Sequence, residues 1–411
     1  MKSLLSLHFG SALLIAFAAA CAAPVAAPAP PRAPLALEGL SEALEEHAAN
    51  SDFPGAVALV WHAGAVEFHE AHGVQRLADG RAMRADTIFR IYSMTKAITA
   101  VAALTFIEEG RLALDDPLST YLPEFAAPRV VRFGPEGEIV ESVPAAREIT
   151  IADLFTHTSG LTYGLFDEGP VGALYREAEL EAPGQDGRDF TRKLARLPLM
   201  HEPGSAWTYG RSSDVLGVVL EVIDDRPLDR ILEQRIFTPL GMIDTAFHVP
   251  AEKFDRVAAL YRRDDAEALD LLPWPVWIEA PRFPSGGGGL FSTASDYLAF
   301  CEMLIGGGTR DGVRILSEES VRALPVDRIA GLPRPRMLGK RGWGLGVAVL
   351  NDESAGPLNG SAGSFHWSGI AGTSFFVDPE RDLIGIFLVQ VWADFSFMTE
   401  FRKRVYAALE S

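Results

Sequence analysis

Ser93 and Lys96 stand three residues apart at the head of an apolar run, Ala97-Ile98-Thr99-Ala100-Val101-Ala102-Ala103-Leu104. Positions i and i+3 share one face of a helix, so the hydroxyl and the ε-amine can touch. A serine at a helix start also has backbone N–H groups and the positive end of the helix dipole beside it, and both favour a developing oxyanion. An ε-amine held out of water next to that hydroxyl can take its proton. Residue types and spacing thus offer a way to activate serine without histidine. The competing reading is an exposed Ser and Lys on a helix start, and S-x-x-K by itself is a weak motif. Lysine is scarce here, however, with six in 411 residues. Only this one follows a serine at such a position.

The pair needs a support on each side. Thr87-Ile88-Phe89-Arg90-Ile91-Tyr92 predicts a strand leading into Ser93, and the apolar run predicts the helix that carries Lys96. Leu37, Leu40 and Leu44 predict a first amphipathic helix over about 37–48. Val57–Trp61 and Val66–His69, joined by a turn at His62-Ala63-Gly64, read as a β-hairpin. Ser374–Val377 and Leu383–Val391, flanking Asp378-Pro379-Glu380-Arg381-Asp382, read as another. Phe397, Phe401, Val405 and Leu409 mark a closing helix. Helical patterns over about 94–109, 150–157, 190–197, 213–222 and 228–236 fill the middle. Strands at both ends around a helical middle predict an α+β fold, with an antiparallel sheet flanked by helices and an inserted mainly helical lobe. The sheet lobe is expected over about 37–92 and 286–411, and the helical lobe over about 93–285.

Further stretches accompany the Ser-Lys pair. They are Leu112-Ala113-Leu114-Asp115-Asp116-Pro117, Ile149–Leu161 with its Thr156-His157-Thr158-Ser159-Gly160 core, Phe237-Thr238-Pro239-Leu240-Gly241-Met242, and Gly286-Gly287-Gly288-Gly289-Leu290-Phe291-Ser292-Thr293. In this order the chain resembles the serine β-lactamase and penicillin-binding protein superfamily. The likeness is to its class C-like branch and, within that, to the family VIII carboxylesterases. It covers roughly residues 50–405 and implies the β-lactamase/transpeptidase-like fold. It also implies a catalytic tyrosine, which falls on Tyr209 in Pro203-Gly204-Ser205-Ala206-Trp207-Thr208-Tyr209-Gly210-Arg211. There Arg211 replaces the usual Asn.

The third element that the resemblance implies aligns at Trp367-Ser368-Gly369. Trp367 stands where lactamases and peptidases hold a group that receives the substrate carboxylate, and an apolar ring there favours neutral acyl esters. The expected site is therefore Ser93 as nucleophile, Lys96 and Tyr209 as proton carriers, and the N–H groups of Ser93 and Ile370 as oxyanion hole. Trp367, Ser368, Gly369 and Arg211 are the expected substrate contacts. His366 should face away from Trp367 on a strand, and His157 reads as structural. His69 and His72, three apart on a strand, are a poor metal pair. No metal or organic cofactor is expected.

The implied activity is hydrolysis of short-chain carboxylic esters through an acyl-serine. The alternatives are a class C-type β-lactamase or D-Ala-D-Ala carboxypeptidase, and, from another class, a non-hydrolytic acyl or cell-wall-binding protein. The partner is a small ester or amide. A net charge of −18 argues against nucleic acid, because phosphate binding needs clustered Lys and Arg. No oligomeric state is read from the sequence.

Lys2, the apolar run Leu4–Phe17 and Ala18-Ala19-Ala20-Cys21 describe an export signal over 1–20. Cys21 after three alanines resembles a bacterial lipobox and predicts lipidation and membrane attachment there. Cleavage without lipid and an uncleaved anchor are the alternatives. Residues 21–36 are nearly all Ala and Pro and predict an extended tether, with the hydrolase domain over 37–411. The expected location is periplasmic or outer-membrane-anchored, or else secreted. Cys301, in an apolar stretch, reads as a buried inert thiol.

Overall fold

The computed structural model describes residues 35–182, 184–273 and 281–410. The expected signal, Cys21 and nearly all of the Ala/Pro tether lie outside the described residues. Among the described residues no helix is long and apolar enough to cross a membrane.

The chain ends build one sheet. Strands β1 (Gly55–His62), β2 (Ala65–Arg76) and β3 (Arg81–Ala82) come from the N-terminal side. Short strands β4 (Phe89–Arg90) and β5 (Phe291–Ser292) pair with each other outside it. β6 (Gly342–Trp343), β7 (Ala348–Val349), β8 (Phe365–Ser368), β9 (Ser374–Asp378) and β10 (Leu383–Val389) complete it from the C-terminal side. The order is β6-β7-β8-β9-β10-β1-β2-β3 in eight antiparallel strands. The two ends meet at β1 and β10, where Ala56 faces Val389 and His62 faces Leu383.

Every residue of β1 is buried, because both faces of the sheet are covered. Val57, Leu59 and Trp61 enter the main core, while Ala56, Ala58 and Val60 pack under two terminal helices. These are α1 (Glu38–Ala49), which offers Leu40 and Leu44, and the C-terminal helix Ser396–Glu410, which offers Phe401, Val405 and Tyr406. Such a strand reads as a continuous apolar run rather than a clean alternation.

Between the sheet halves lie α2 (Thr95–Glu108), α3 (Ile151–Thr156), α4 (Pro170–Glu177), α5 (Gly187–Leu194), α6 (Ser212–Asp224), α7 (Leu228–Leu232), α8 (Ala294–Ile305) and α9 (Glu318–Ala323). The C-terminal helix is thus α10. Twelve consecutive residues of α2, Thr95 to Phe106, are buried. A helix apolar all round belongs inside, and α6 packs on it. The strand expected over Thr87–Tyr92 contracts to β4. It pairs with the glycine-rich arm at β5 instead of joining the large sheet, since Tyr92 turns with φ +43°. Cys301 lies fully buried on α8, and burial pushes its thiol well above the ordinary range. It is inert.

α3 begins with a reciprocal cap between Thr150 and Asp153. Burial alone would raise the Asp153 carboxyl, but Arg147 on both oxygens, the Thr150 N–H and Thr158 Oγ1 outweigh it and hold the group low. A carboxyl held below its unfolded value near 3.9 contributes stability that is complete above that pH and fades as pH falls through its folded pKa. Asp153→Asn is therefore expected to cost about 1–3 kcal/mol at pH 7. The melting-temperature gap to wild type should narrow below about pH 4.

Candidate active site

Lys96, on the first turn of α2, is 1% exposed. Its Nζ donates to Ser93 Oγ at 3.1 Å, to Tyr163 Oη at 3.2 Å and to the Gly287 carbonyl at 2.6 Å. The Nζ also lies 4.7 Å from the centre of the Tyr209 ring. Ser93 sits in the 3₁₀ turn Tyr92–Met94 that opens into α2, so the i, i+3 contact forms as its spacing demands. The preceding Tyr92 holds φ +43°, and its buried hydroxyl has no hydrogen-bond partner among the described residues. Backbone strain of this kind persists only where surrounding packing over-determines it. Here the Tyr92 ring abuts Trp392 at 5.8 Å.

The glycine-rich arm anchors Lys96. Asp214, on the first turn of α6, accepts from the Gly287 N–H at 3.0 Å and from Ser285 Oγ. The same peptide segment then presents the Gly287 carbonyl to Lys96. A Cβ on Gly287 would lie 2.7 Å from the Asp214 carboxylate, and one on Gly286 would lie 2.7 Å from the Ser213 carbonyl. The run is glycine because backbone must touch α6, not because it cradles a phosphate.

Tyr209 is buried, and its phenol oxygen accepts from Trp367 Nε1 at 3.1 Å. Trp367 in turn stands edge-on to Trp343, with ring centres 4.6 Å apart. His157 caps α3 in the left-handed region at φ 55° and packs on Tyr209 at 5.1 Å. Burial, aided by Lys96, pushes its ring far below the usual range, so it stays neutral. It serves as a wall of the aromatic cluster.

Strand β8 delivers the rest. Gly369, just past its end, approaches the segment before Ser93 so closely that a Cβ would lie 2.6 Å from the Ile91 carbonyl. The Ile370 carbonyl is tied to the Ala393 N–H at 2.7 Å, while its own N–H has no partner among the described residues. An amide in that position can receive a developing oxyanion. Trp367 points to the Tyr209 side of the sheet. His366 and Ser368 point to the other side, where their strand partners are Phe376 and Ser374. Arg211 is occupied: it pairs with Glu181 and, at 3.6 Å, with Asp214, and its guanidinium lies 4.6 Å over the Tyr163 ring.

Sequence reasoning missed Tyr163. It follows the Thr158-Ser159-Gly160-Leu161 stretch by two residues, and nothing in its local pattern separates it from an ordinary loop aromatic. Burial, with Asp214 and Tyr209 nearby, holds its proton far above the ordinary phenol range. Two phenols therefore flank Lys96, and Tyr163 is held in its protonated form.

A family model described as Beta-lactamase matches residues 40–408. The chain belongs to the beta-lactamase family. Among relatives of this family member, Protein Rv1367c of Mycobacterium tuberculosis (strain ATCC 25618 / H37Rv) is 40% identical over 372 residues, covering 88% of this chain and 91% of that one. Esterase EstB of Burkholderia gladioli is 36% identical over 348 residues, covering 79% and 82%. The solved structure of "EstCE1, a hydrolase with promiscuous acyltransferase activity" superposes with a TM-score of 0.76 at 26% identity, over 91% of this chain and 98% of that one. The antiparallel sheet flanked by helices is that of the β-lactamase-like fold. Within the superfamily of β-lactamases and penicillin-binding proteins this chain falls on the esterase side, and it is a serine hydrolase.

Proposed function

We propose that the protein hydrolyses short-chain carboxylic esters, with Ser93 as nucleophile. The observation that carries this reading is the 3.1 Å contact from buried Lys96 Nζ to Ser93 Oγ, beside a second proton carrier, Tyr209. Ser93 Oγ attacks the ester carbonyl while its single proton passes by way of Lys96 Nζ to the Tyr209 phenol oxygen. The N–H groups of Ser93 and Ile370 receive the oxyanion. The C–O bond to the alcohol breaks as Tyr209 returns the proton to the leaving oxygen. Water then attacks the acyl-serine by the reverse relay and releases the acid.

Trp367 supports an uncharged substrate, since its indole N–H is already used on Tyr209. Leu165 and Phe166 support an apolar acyl group. They are 59% and 45% exposed, and the Phe166 ring packs 5.7 Å from both Tyr163 and Tyr209. Large apolar side chains left open beside reactive groups form a ready platform for substrate. Two further methylenes are worth about 1.6 kcal/mol if fully buried, so butyrate should be preferred over acetate by up to about tenfold in kcat/KM. Phe166→Ala should erase most of that preference and leave acetate turnover within about twofold. Steady-state kinetics on the two p-nitrophenyl esters reads this directly.

The test of the reaction class offers p-nitrophenyl butyrate and a chromogenic cephalosporin to the same preparation. Ester turnover well above cephalosporin turnover is the expected result. Efficient cephalosporin cleavage without ester cleavage would move the assignment to a β-lactamase, and failure of a fluorophosphonate to label the protein would leave only acyl binding. The EstCE1 description suggests one further measurement. Excess alcohol in the assay should divert part of the acyl group to a new ester if acyl transfer competes with water.

A further inference from the structure

Between Asp327 and Gly342 the chain places Arg328, Arg334, Arg336, Lys340 and Arg341 with no acidic residue among them, in a protein of net charge −18. None of these cations holds a carboxylate among the described residues, whereas Arg310 and Arg322 before them and Arg381 and Arg404 after them each do. Arg328, Arg336 and Lys340 are exposed. The nearest carboxylate in the chain, Asp327, is taken up by the N–H groups of Ile329 and Trp343 at 3.1 and 3.2 Å. Asp352 and Glu353 follow Asn351, whose side chain holds the Lys340 carbonyl at 2.9 Å, yet neither pairs with the lysine among the described residues.

Residues 334–341 fold back on themselves. Arg334 Nη1 donates to the Arg341 carbonyl at 3.0 Å, and the Arg341 guanidinium donates to the carbonyls of Met337 and Leu338. Leu338 is fully buried and roots the loop in the main core. Met337 beside it is 45% exposed, with Arg336 before it and Lys340 three residues on. An apolar tip between two unpaired cations suits an anionic lipid surface, which rewards buried apolar area and charge attraction together. The loop also borders the candidate active site. The Pro333 carbonyl accepts from the Trp207 N–H at 2.9 Å, and the Trp207 ring stacks on Tyr209 with centres 5.9 Å apart.

We infer that residues 328–341 form a docking surface for an anionic lipid bilayer, with Met337 entering the headgroup layer and Arg336 and Lys340 on lipid phosphates. The negative charge of the whole protein does not prevent this. At physiological ionic strength the Debye length is about 8 Å, so a bilayer senses the cations facing it far more than carboxylates elsewhere. Nucleic acid fits less well, because the segment holds no aromatic residue on which bases could stack. Docking here brings the Trp207–Tyr209 cluster close to the bilayer and to esters dissolved in it. That consequence rests on the ester reading, whereas the docking itself does not.

The test is flotation of the full chain with vesicles of phosphatidylcholine alone, and with vesicles of phosphatidylcholine and phosphatidylglycerol in equal parts. At low salt the mixed vesicles are expected to carry at least about tenfold more protein. At about 1 M salt, where the Debye length is near 3 Å, that excess should vanish. A lipid anchor at Cys21 would act on both vesicles alike, so the ratio isolates the loop. Arg336→Glu combined with Lys340→Glu should abolish the excess, with the melting curve and p-nitrophenyl butyrate turnover in vesicle-free buffer unchanged. Met337→Ser should lower mixed-vesicle binding about threefold, since it loses apolar contact but no charge. Equal flotation with both vesicles, an excess that survives high salt, or a double variant that floats like wild type would overturn the inference. So would capture of the chain by single-stranded DNA without vesicle binding. Vesicle binding by a chain that fails to turn over the ester would support the docking surface and count against the ester reading alone.

Discussion

Ser93→Ala should lower p-nitrophenyl butyrate turnover by at least about 10⁴-fold and abolish fluorophosphonate labelling, while the melting temperature stays close to wild type. Catalytic groups that act as one unit lose about this much when the nucleophile goes. The hydroxyl contributes no packing to the core, so its loss removes chemistry and little else. No neighbour can substitute. Tyr163 is the other hydroxyl on Lys96, but its proton is held far above the ordinary phenol range by burial, Asp214 and Tyr209. Turnover within tenfold of wild type in pure Ser93→Ala protein would remove the nucleophile assignment.

Tyr209→Phe should cost about 10²–10³-fold in kcat, the range for loss of a positioned proton carrier, with KM nearly unchanged. The ring would keep its place against His157, Trp207 and Trp367, with centres at 5.1, 5.9 and 5.3 Å. Tyr163→Phe is the informative comparison. It removes one acceptor from Lys96 but leaves Ser93 and the Gly287 carbonyl in place, and should cost no more than about tenfold. If Tyr163→Phe proves the more damaging change, the relay runs through the other phenol and the two roles must be exchanged.

Much of this was legible in the residues, for specific reasons. The Ser93–Lys96 contact follows from helix geometry, and the two hairpins from turn residues between apolar runs. The helices at the ends follow from leucine and phenylalanine spacing. What escaped is what depends on distant chain meeting distant chain. Tyr163, Asp214 and the Gly287 carbonyl are functional neighbours only because α6 and the glycine-rich arm close over α2. The expected strand before Ser93 looked extended in its β-branched and aromatic residues, yet its short pairing was decided by the turn at Tyr92. Helix α8 showed only as an apolar stretch around Cys301. The hydroxyl of Ser368 and the ring of Trp367 were read together as substrate contacts, whereas strand alternation sends them to opposite faces of the sheet.

The pairing of β1 with β10 has a consequence for how the molecule comes into being. β1 ends at His62, and the strand that must lie beside it begins at Leu383, so an apolar ribbon waits for a partner some 320 residues downstream. At synthesis rates of about 5–20 residues per second, that delay is roughly 16–64 s. Until then the newborn chain shows an open, sticky edge. Contacts of such long reach slow folding and favour wrong pairings. Shielding of that edge during synthesis is therefore expected to raise the yield of correctly paired protein.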